Sequence, residues 1–70
     1  MKTKTIGAKI KVWRLKKQLT QDALSKKAHI PYPTLIKIES DVVQNPSIET
    51  VVKIAHGFGI TVDELISVDE

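Results

Sequence analysis

The sequence predicts an all-α fold, a bundle of five short helices with no strand. Two patterns carry that reading. Apolar residues recur at three- and four-residue spacings instead of alternating, and Thr, Ser, Pro and Gly stand where those runs start and stop. Ile, Val and Thr are plentiful, which alone would favour sheet, but they sit on the helical period. At 70 residues the chain has room for one domain, residues 1–70. A core of that size contributes only about 3–5 kcal/mol, so association with a second subunit would help it.

The first helix rests on Ile6, Ile10 and Trp13, which fall at i, i+4 and i+7 with lysines between them. Thr5 or Thr3 caps its start, and the pattern runs to about Gln18. Thr20 caps a second helix, about Gln21 to Ala28, with Asp22 in the first turn where the helix dipole favours negative charge. Leu24 and Ala28 form its buried stripe, and His29-Ile30-Pro31 breaks the pattern because a residue before proline is pushed out of the helical region. A third helix is predicted from about Pro33 to Ser40, proline fitting the first turn, with Leu35 and Ile38 inward. Residues 41–46 read as a loop. Ser47 caps a fourth helix whose buried face is Val51, Ile54, Ala55 and Phe58, widened by Ile48 and Val52. Gly59 stops it in the left-handed conformation that glycine adopts freely. Thr61 and Glu64 then make a capping box for a last helix with Leu65 and Ile66 inward.

Composition removes several function classes. There is no Cys, so disulfides and thiolate metal sites are excluded, which suits a reducing cytoplasm. Hydrophobic residues make up 41% and charged residues 27%, the balance of a globular chain and not of a disordered one. No apolar run approaches a membrane span, and lysines at 2, 4, 9 and 11 interrupt the start where a signal peptide would be apolar. His29 and His56 are far apart in sequence with no ligand-spaced carboxylate, and Gly57 and Gly59 follow a helix instead of opening one. No catalytic group, metal or cofactor is therefore expected.

Charge is unevenly spread. Residues 1–37 hold nine Lys and Arg14 against Asp22 alone, a formal +9, whereas residues 38–70 hold seven acidic residues against Lys53, a formal −6. That asymmetry suggests one half facing a polyanion, although a solvated lysine surface would look the same.

The second and third helices are joined by about four residues with Ile30 at the corner, the spacing of a helix-turn-helix over about residues 20–40, whose second helix is free to enter a major groove. The stretches IGAKIKVWR, LTQDAL, IPYPTLIKIES, NPSIETVVKIA and FGITVDEL, running from Ile6 to Ile66, resemble the phage repressor and Cro-type helix-turn-helix family of XRE-like regulators. The resemblance implies a lambda-repressor-like DNA-binding domain. It implies that Gln21 contacts a phosphate and braces the recognition helix, and that Tyr32, Pro33, Thr34, Ile36 and Lys37 face the groove. It also implies an ion pair between Arg14 and Glu39 tying the first helix to the third. Ser25 and His29 stand where the family usually has Ala and Gly, and Pro33 is expected to start the recognition helix a residue late. Which of Tyr32, Pro33 and Thr34 reaches the bases is left open by the two prolines.

Some roles have independent chemistry. Lys37 can donate to guanine O6 or N7, or to a phosphate. Ile36 suits a thymine methyl, a protein-binding patch, or a position at the edge of the core. Of Lys9, Lys11, Lys16, Lys17, Lys26 and Lys27, only a minority can face one duplex, since they point around two helices.

The expected function is a sequence-specific double-stranded DNA-binding regulator, a repressor acting as a homodimer on a near-palindromic operator, in the cytoplasm and on the nucleoid when bound. Val42, Val43, Val62, Leu65, Ile66 and Val68 are the expected dimer face. Their alternative use is to hold a protein partner, a toxin or another regulator, in an antitoxin or docking module of the same fold. A nonspecific basic DNA binder is a third possibility, whose affinity would follow salt and not sequence.

Overall fold

The structure is a computed structural model that describes residues 5–67. It comprises α1 (Ile6–Lys16), α2 (Gln21–Ala28), α3 (Tyr32–Glu39), α4 (Ile48–Phe58) and α5 (Val62–Ser67), with no strand among the described residues. The starts follow local hydrogen bonding. Thr5 Oγ1 accepts from Ala8 N–H, Thr20 Oγ1 from Ala23 N–H and Ser47 Oγ from Thr50 N–H, each satisfying a donor that the first turn leaves free. Thr61 and Glu64 form the reciprocal box, Glu64 N–H to Thr61 Oγ1 at 3.1 Å and Thr61 N–H to Glu64 Oε1 at 2.9 Å.

Three boundaries differ from the sequence expectation, the smallest being the end of α3 at Glu39, with Ser40 as its C-cap instead of its last residue. α1 ends at Lys16, not Gln18, because Gln18 turns left-handed (φ 58°). Gln18 N–H then bonds Leu15 C=O and Leu19 N–H bonds Arg14 C=O, which closes the helix without a glycine. α3 begins at Tyr32, one residue earlier than expected, with Pro31 as its N-cap and Pro33 in the second helical position. The N–H groups of the first turn have no intrahelical partner, so proline removes nothing there, and its bias against a helical Tyr32 is outweighed.

Ile10, Leu24, Leu35, Ile38, Ile54 and Leu65 are the largest fully buried side chains, one or more from each helix. Burying each is worth about 1.5–3 kcal/mol. Around them lie Ala28, Ile30, Val51, Ala55 and Phe58, so the corner residue between α2 and α3, Ile30, is part of the core. α2 packs mainly on α4, and α1 packs on both α3 and α5. Gly7 makes the α1–α3 approach possible: a Cβ there would collide with the Ile38 carbonyl and come within 3.2 Å of Glu39 Cα. Ile66, expected inward, is 44% exposed, since α5 is a single six-residue stripe whose one buried side chain is Leu65.

α5 is held from α1 by two polar contacts. Trp13 Nε1 donates to Glu64 C=O at 3.2 Å and Lys9 Nζ to Ile66 C=O at 2.6 Å, satisfying carbonyls that a short helix leaves free. The Trp13 ring also lies 6.4 Å from that of Phe58. No helix among the described residues is long and apolar enough to cross a membrane.

Candidate nucleic-acid interface

Glu39, at the end of α3, is the hub of the site. Arg14 Nε lies 3.0 Å from Glu39 Oε2 and 3.3 Å from Oε1, and Gln21 Nε2 donates to Oε1 at 3.2 Å. Arg14 Nη1 also donates to Leu19 C=O at 2.9 Å. The side chains of Arg14 and Glu39 are only 13% and 4% exposed, so the charges are largely removed from water and depend on one another. Because a carboxylate only accepts, Glu39 fixes the orientation of the Gln21 amide and leaves its second N–H free. Three helices, α1, α2 and α3, are thereby tied at one point.

From that anchor α3 presents its outer side. Tyr32, Pro33 and Lys37 are exposed, Thr34 and Ile36 half-buried, and Leu35 and Ile38 buried on the opposite side. The Tyr32 hydroxyl, the Thr34 hydroxyl and the Lys37 ammonium make no hydrogen bond to other described residues, so their polar atoms are available to a ligand. Ile36 does not stand fully outward beside Tyr32. It lines a groove with Lys11, Arg14, Gln21, Glu39 and Ser40, beside the polar network.

The turn between α2 and α3 is closed by backbone hydrogen bonds. His29 is left-handed (φ 58°), and its N–H bonds Lys26 C=O while Ile30 N–H bonds Ser25 C=O. Ser25, buried under the motif, returns its hydroxyl to Asp22 C=O at 2.8 Å, which is how a polar residue fills a position suited to alanine.

The lysines separate into groups. Lys11 borders the groove beside Gln21. Lys9 is committed to the Ile66 carbonyl, and Lys26 pairs with Asp22 at 3.2 Å. Lys16 and Lys17 lie 5.5 and 5.9 Å from the Trp13 ring, on the side of α1 that meets α4 and α5. No sequence pattern announced the contacts of Lys9 and Trp13 with α5, because they join residues more than 50 positions apart.

The expected dimer face is reduced by the structure. Leu65 is wholly buried and cannot belong to an exposed surface. Val43 and Val62 are half-buried against the core, whereas Val42 is 72% exposed and Ile66 44%. Val68 lies outside the described residues. A second apolar surface runs along α4, where Ile48 and Val52 are exposed, and continues into a groove lined by Val52, Ala55, His56, Ile60 and Val62. Among the described residues no group of three or more His, Asp or Glu could hold a metal ion.

A helix-turn-helix family model matches residues 10–65. Among solved structures, the N-terminal DNA-binding domain of SinR from Bacillus subtilis is similar with a TM-score of 0.81 and 32% identity, over 93% of this chain and 91% of that one. A SinR/SinI protein complex is similar with a TM-score of 0.82 and 31% identity over 89% of this chain. There the match spans 60% of the other chain's length. No protein of curated function matches.

Proposed function

We propose, for a chain that belongs to the XRE-type helix-turn-helix family, that it is a transcriptional repressor binding a near-palindromic stretch of double-stranded DNA as a homodimer. α3 lies in the major groove, and the free N–H of Gln21 and the Lys11 ammonium, which border one groove beside it, take phosphates of the flanking backbone. The observation that carries this reading is the contrast within α3. Its outer side chains have no partner among the described residues, while Glu39 is locked to α1 and α2. A helix that is rigidly anchored and otherwise unengaged is arranged for presentation. The similarity to a SinR domain described as DNA-binding points the same way.

Dimerisation through Val42, Ile66 and the edges of Val43 and Val62 would set two copies of α3 about one DNA turn, ~34 Å, apart. Such a protein acts in the cytoplasm and on the nucleoid when bound. The second reading is a protein-docking module, a partner such as a toxin or another regulator covering Ile48, Val52 and the groove beside them. It is favoured by that apolar surface and by the similarity to a SinR/SinI complex.

The test is selection of bound duplexes from a random DNA pool at physiological salt. An inverted repeat with half-sites one turn apart is the expected result. Recovery of no shared motif, with binding that fades as salt rises, would replace the repressor by a nonspecific binder or the docking module.

A further inference from the structure

The outer side of α3 has an apolar centre. Leu35 and Ile38 define the buried side. At about 100° per residue, Pro33 falls within roughly 10° of the point directly opposite, with Ile36 and Lys37 about 50° to either side. Tyr32 precedes Pro33 at the end of the helix that leads into a groove, and it is 45% exposed. Pro33 has neither a backbone N–H nor a polar side-chain atom. From 32 to 38 there is no Arg, Asn, Gln, Asp or Glu, so Lys37 and the hydroxyls of Tyr32 and Thr34 are the only side-chain groups there that can hydrogen-bond a base edge.

The chemistry of the major groove then narrows the choice. Its floor carries hydrogen-bonding groups on every base pair and one apolar feature, the C5-methyl group of thymine. A proline ring pressed on a donor or acceptor strips its water and returns no bond, which is unfavourable. Against a methyl group it removes apolar surface from water, which is favourable. Pro31, as N-cap at φ −62°, and Pro33 also restrict the backbone on both sides of Tyr32, so little freedom remains to be lost on binding.

On the reading that α3 enters the major groove, we propose that Pro33 and the Tyr32 ring recognise the C5-methyl group of thymine. Lys37 is then left as the charged side chain of α3 that hydrogen-bonds a base edge or phosphate. Specificity is carried by methyl groups and their positions more than by paired hydrogen bonds.

The experiment replaces thymine by deoxyuridine, one position at a time, in a duplex recovered from the random-pool selection. Base pairing is kept and only the methyl group is lost. One or two positions per half-site should bind roughly three- to fivefold more weakly, the value of one buried methyl. That penalty should shrink towards none in Pro33→Ala or Tyr32→Ala and persist in Lys37→Ala. Pro33→Ala keeps the helix, alanine being the better helix former. At the same position 5-methylcytosine should bind better than cytosine and worse than thymine; tighter binding than thymine would assign the site to methylated cytosine and overturn the proposal. Equal affinity for deoxyuridine at every position would overturn it too, as would a penalty that both apolar variants retain. Binding that ignores the methyl groups removes only this inference, whereas the absence of any bound duplex removes the repressor reading beneath it.

Discussion

Glu39 accepts from Arg14 and Gln21 with only 4% of its side chain exposed, so its charge has exchanged water for two specific donors. Such a pair adds little beyond what an apolar pair of similar shape would add, but removing one partner strands the other. Arg14→Ala should therefore destabilise the fold by about 3 kcal/mol. For a domain of this size that lowers the melting temperature by roughly 12–24 °C. Lys37, exposed and without an intramolecular partner among the described residues, should behave in the opposite way. Lys37→Ala should leave thermal melting unchanged and weaken DNA binding by about 1–3 kcal/mol if it reads a base, with relaxed preference at one position. Melting curves for both variants, set beside binding to the selected duplex, check the contrast. An Arg14→Ala protein that melts like the parent would remove the buried network from the explanation of how α3 is held. Arg14 and Glu39 could be singled out in the sequence only through family resemblance, since no local pattern joins positions 25 apart. The environment of Ile36 is likewise invisible in the sequence, because helical spacing gives the side of a helix a residue occupies but not which residues of other helices line a groove with it.

Helix ends show most clearly what local sequence encodes and where it falls short. α2 was legible to the residue, because Thr20 supplies a side-chain cap and Pro31 forbids continuation soon after Ala28. α4 was legible for the same kind of reason, with Ser47 at one end and Gly59 at the other. The periodicity extends α1 two residues beyond its end at Lys16, because the turn that closes it is made by left-handed Gln18, and glutamine carries no stop signal. Gln18, His29 and Asp41 all take left-handed φ values, 58°, 58° and 66°, which an L side chain adopts against steric resistance. What imposes the conformation is tertiary: Leu19 and Ile30, just beyond two of those residues, must turn back onto the core. His29 is the most useful of the three to alter, since its side chain is exposed and its turn sets the angle of α3. His29→Gly should stabilise the domain by about 0.5–1 kcal/mol, the relief of left-handed strain exceeding the extra entropy of glycine in the unfolded chain. Gly59→Ala, at φ 76°, should cost a similar amount in the other direction. Urea titration of the two variants measures both, with midpoints moving apart at constant slope. A destabilised His29→Gly protein would mean that the imidazole supplies a contact that outweighs the strain.

At the scale of the whole molecule, charge asymmetry is plain in the sequence, but which lysines meet a polyanion is not, because basic residues spread over short helices point in many directions. The fold does the sorting. Lys11 borders the groove that contains Gln21, next to the exposed side of α3, whereas Lys16 and Lys17 rest near Trp13 where α1 meets α4 and α5. With a duplex lying along α3 as proposed, Lys11 would be the one near the phosphates, since the other two lie on a different side of α1. Each phosphate neutralised releases condensed counterions and adds about 0.9 to the slope of log affinity against log salt. Lys11→Ala should thus reduce the slope by about 0.9 for each protomer bound, and by about twice that if two protomers bind as a dimer. Lys16→Ala and Lys17→Ala should leave it within error, although each removes the same formal charge. Titrations of one selected duplex at four or more salt concentrations separate these cases. Equal reductions from all three substitutions would show that the protein responds to DNA as a diffuse positive body, and the orientation with α3 in the groove would have to be abandoned. A reduction confined to Lys11 would place the duplex across the α1–α2–α3 anchor, with the size of the change also reporting how many copies sit on the site.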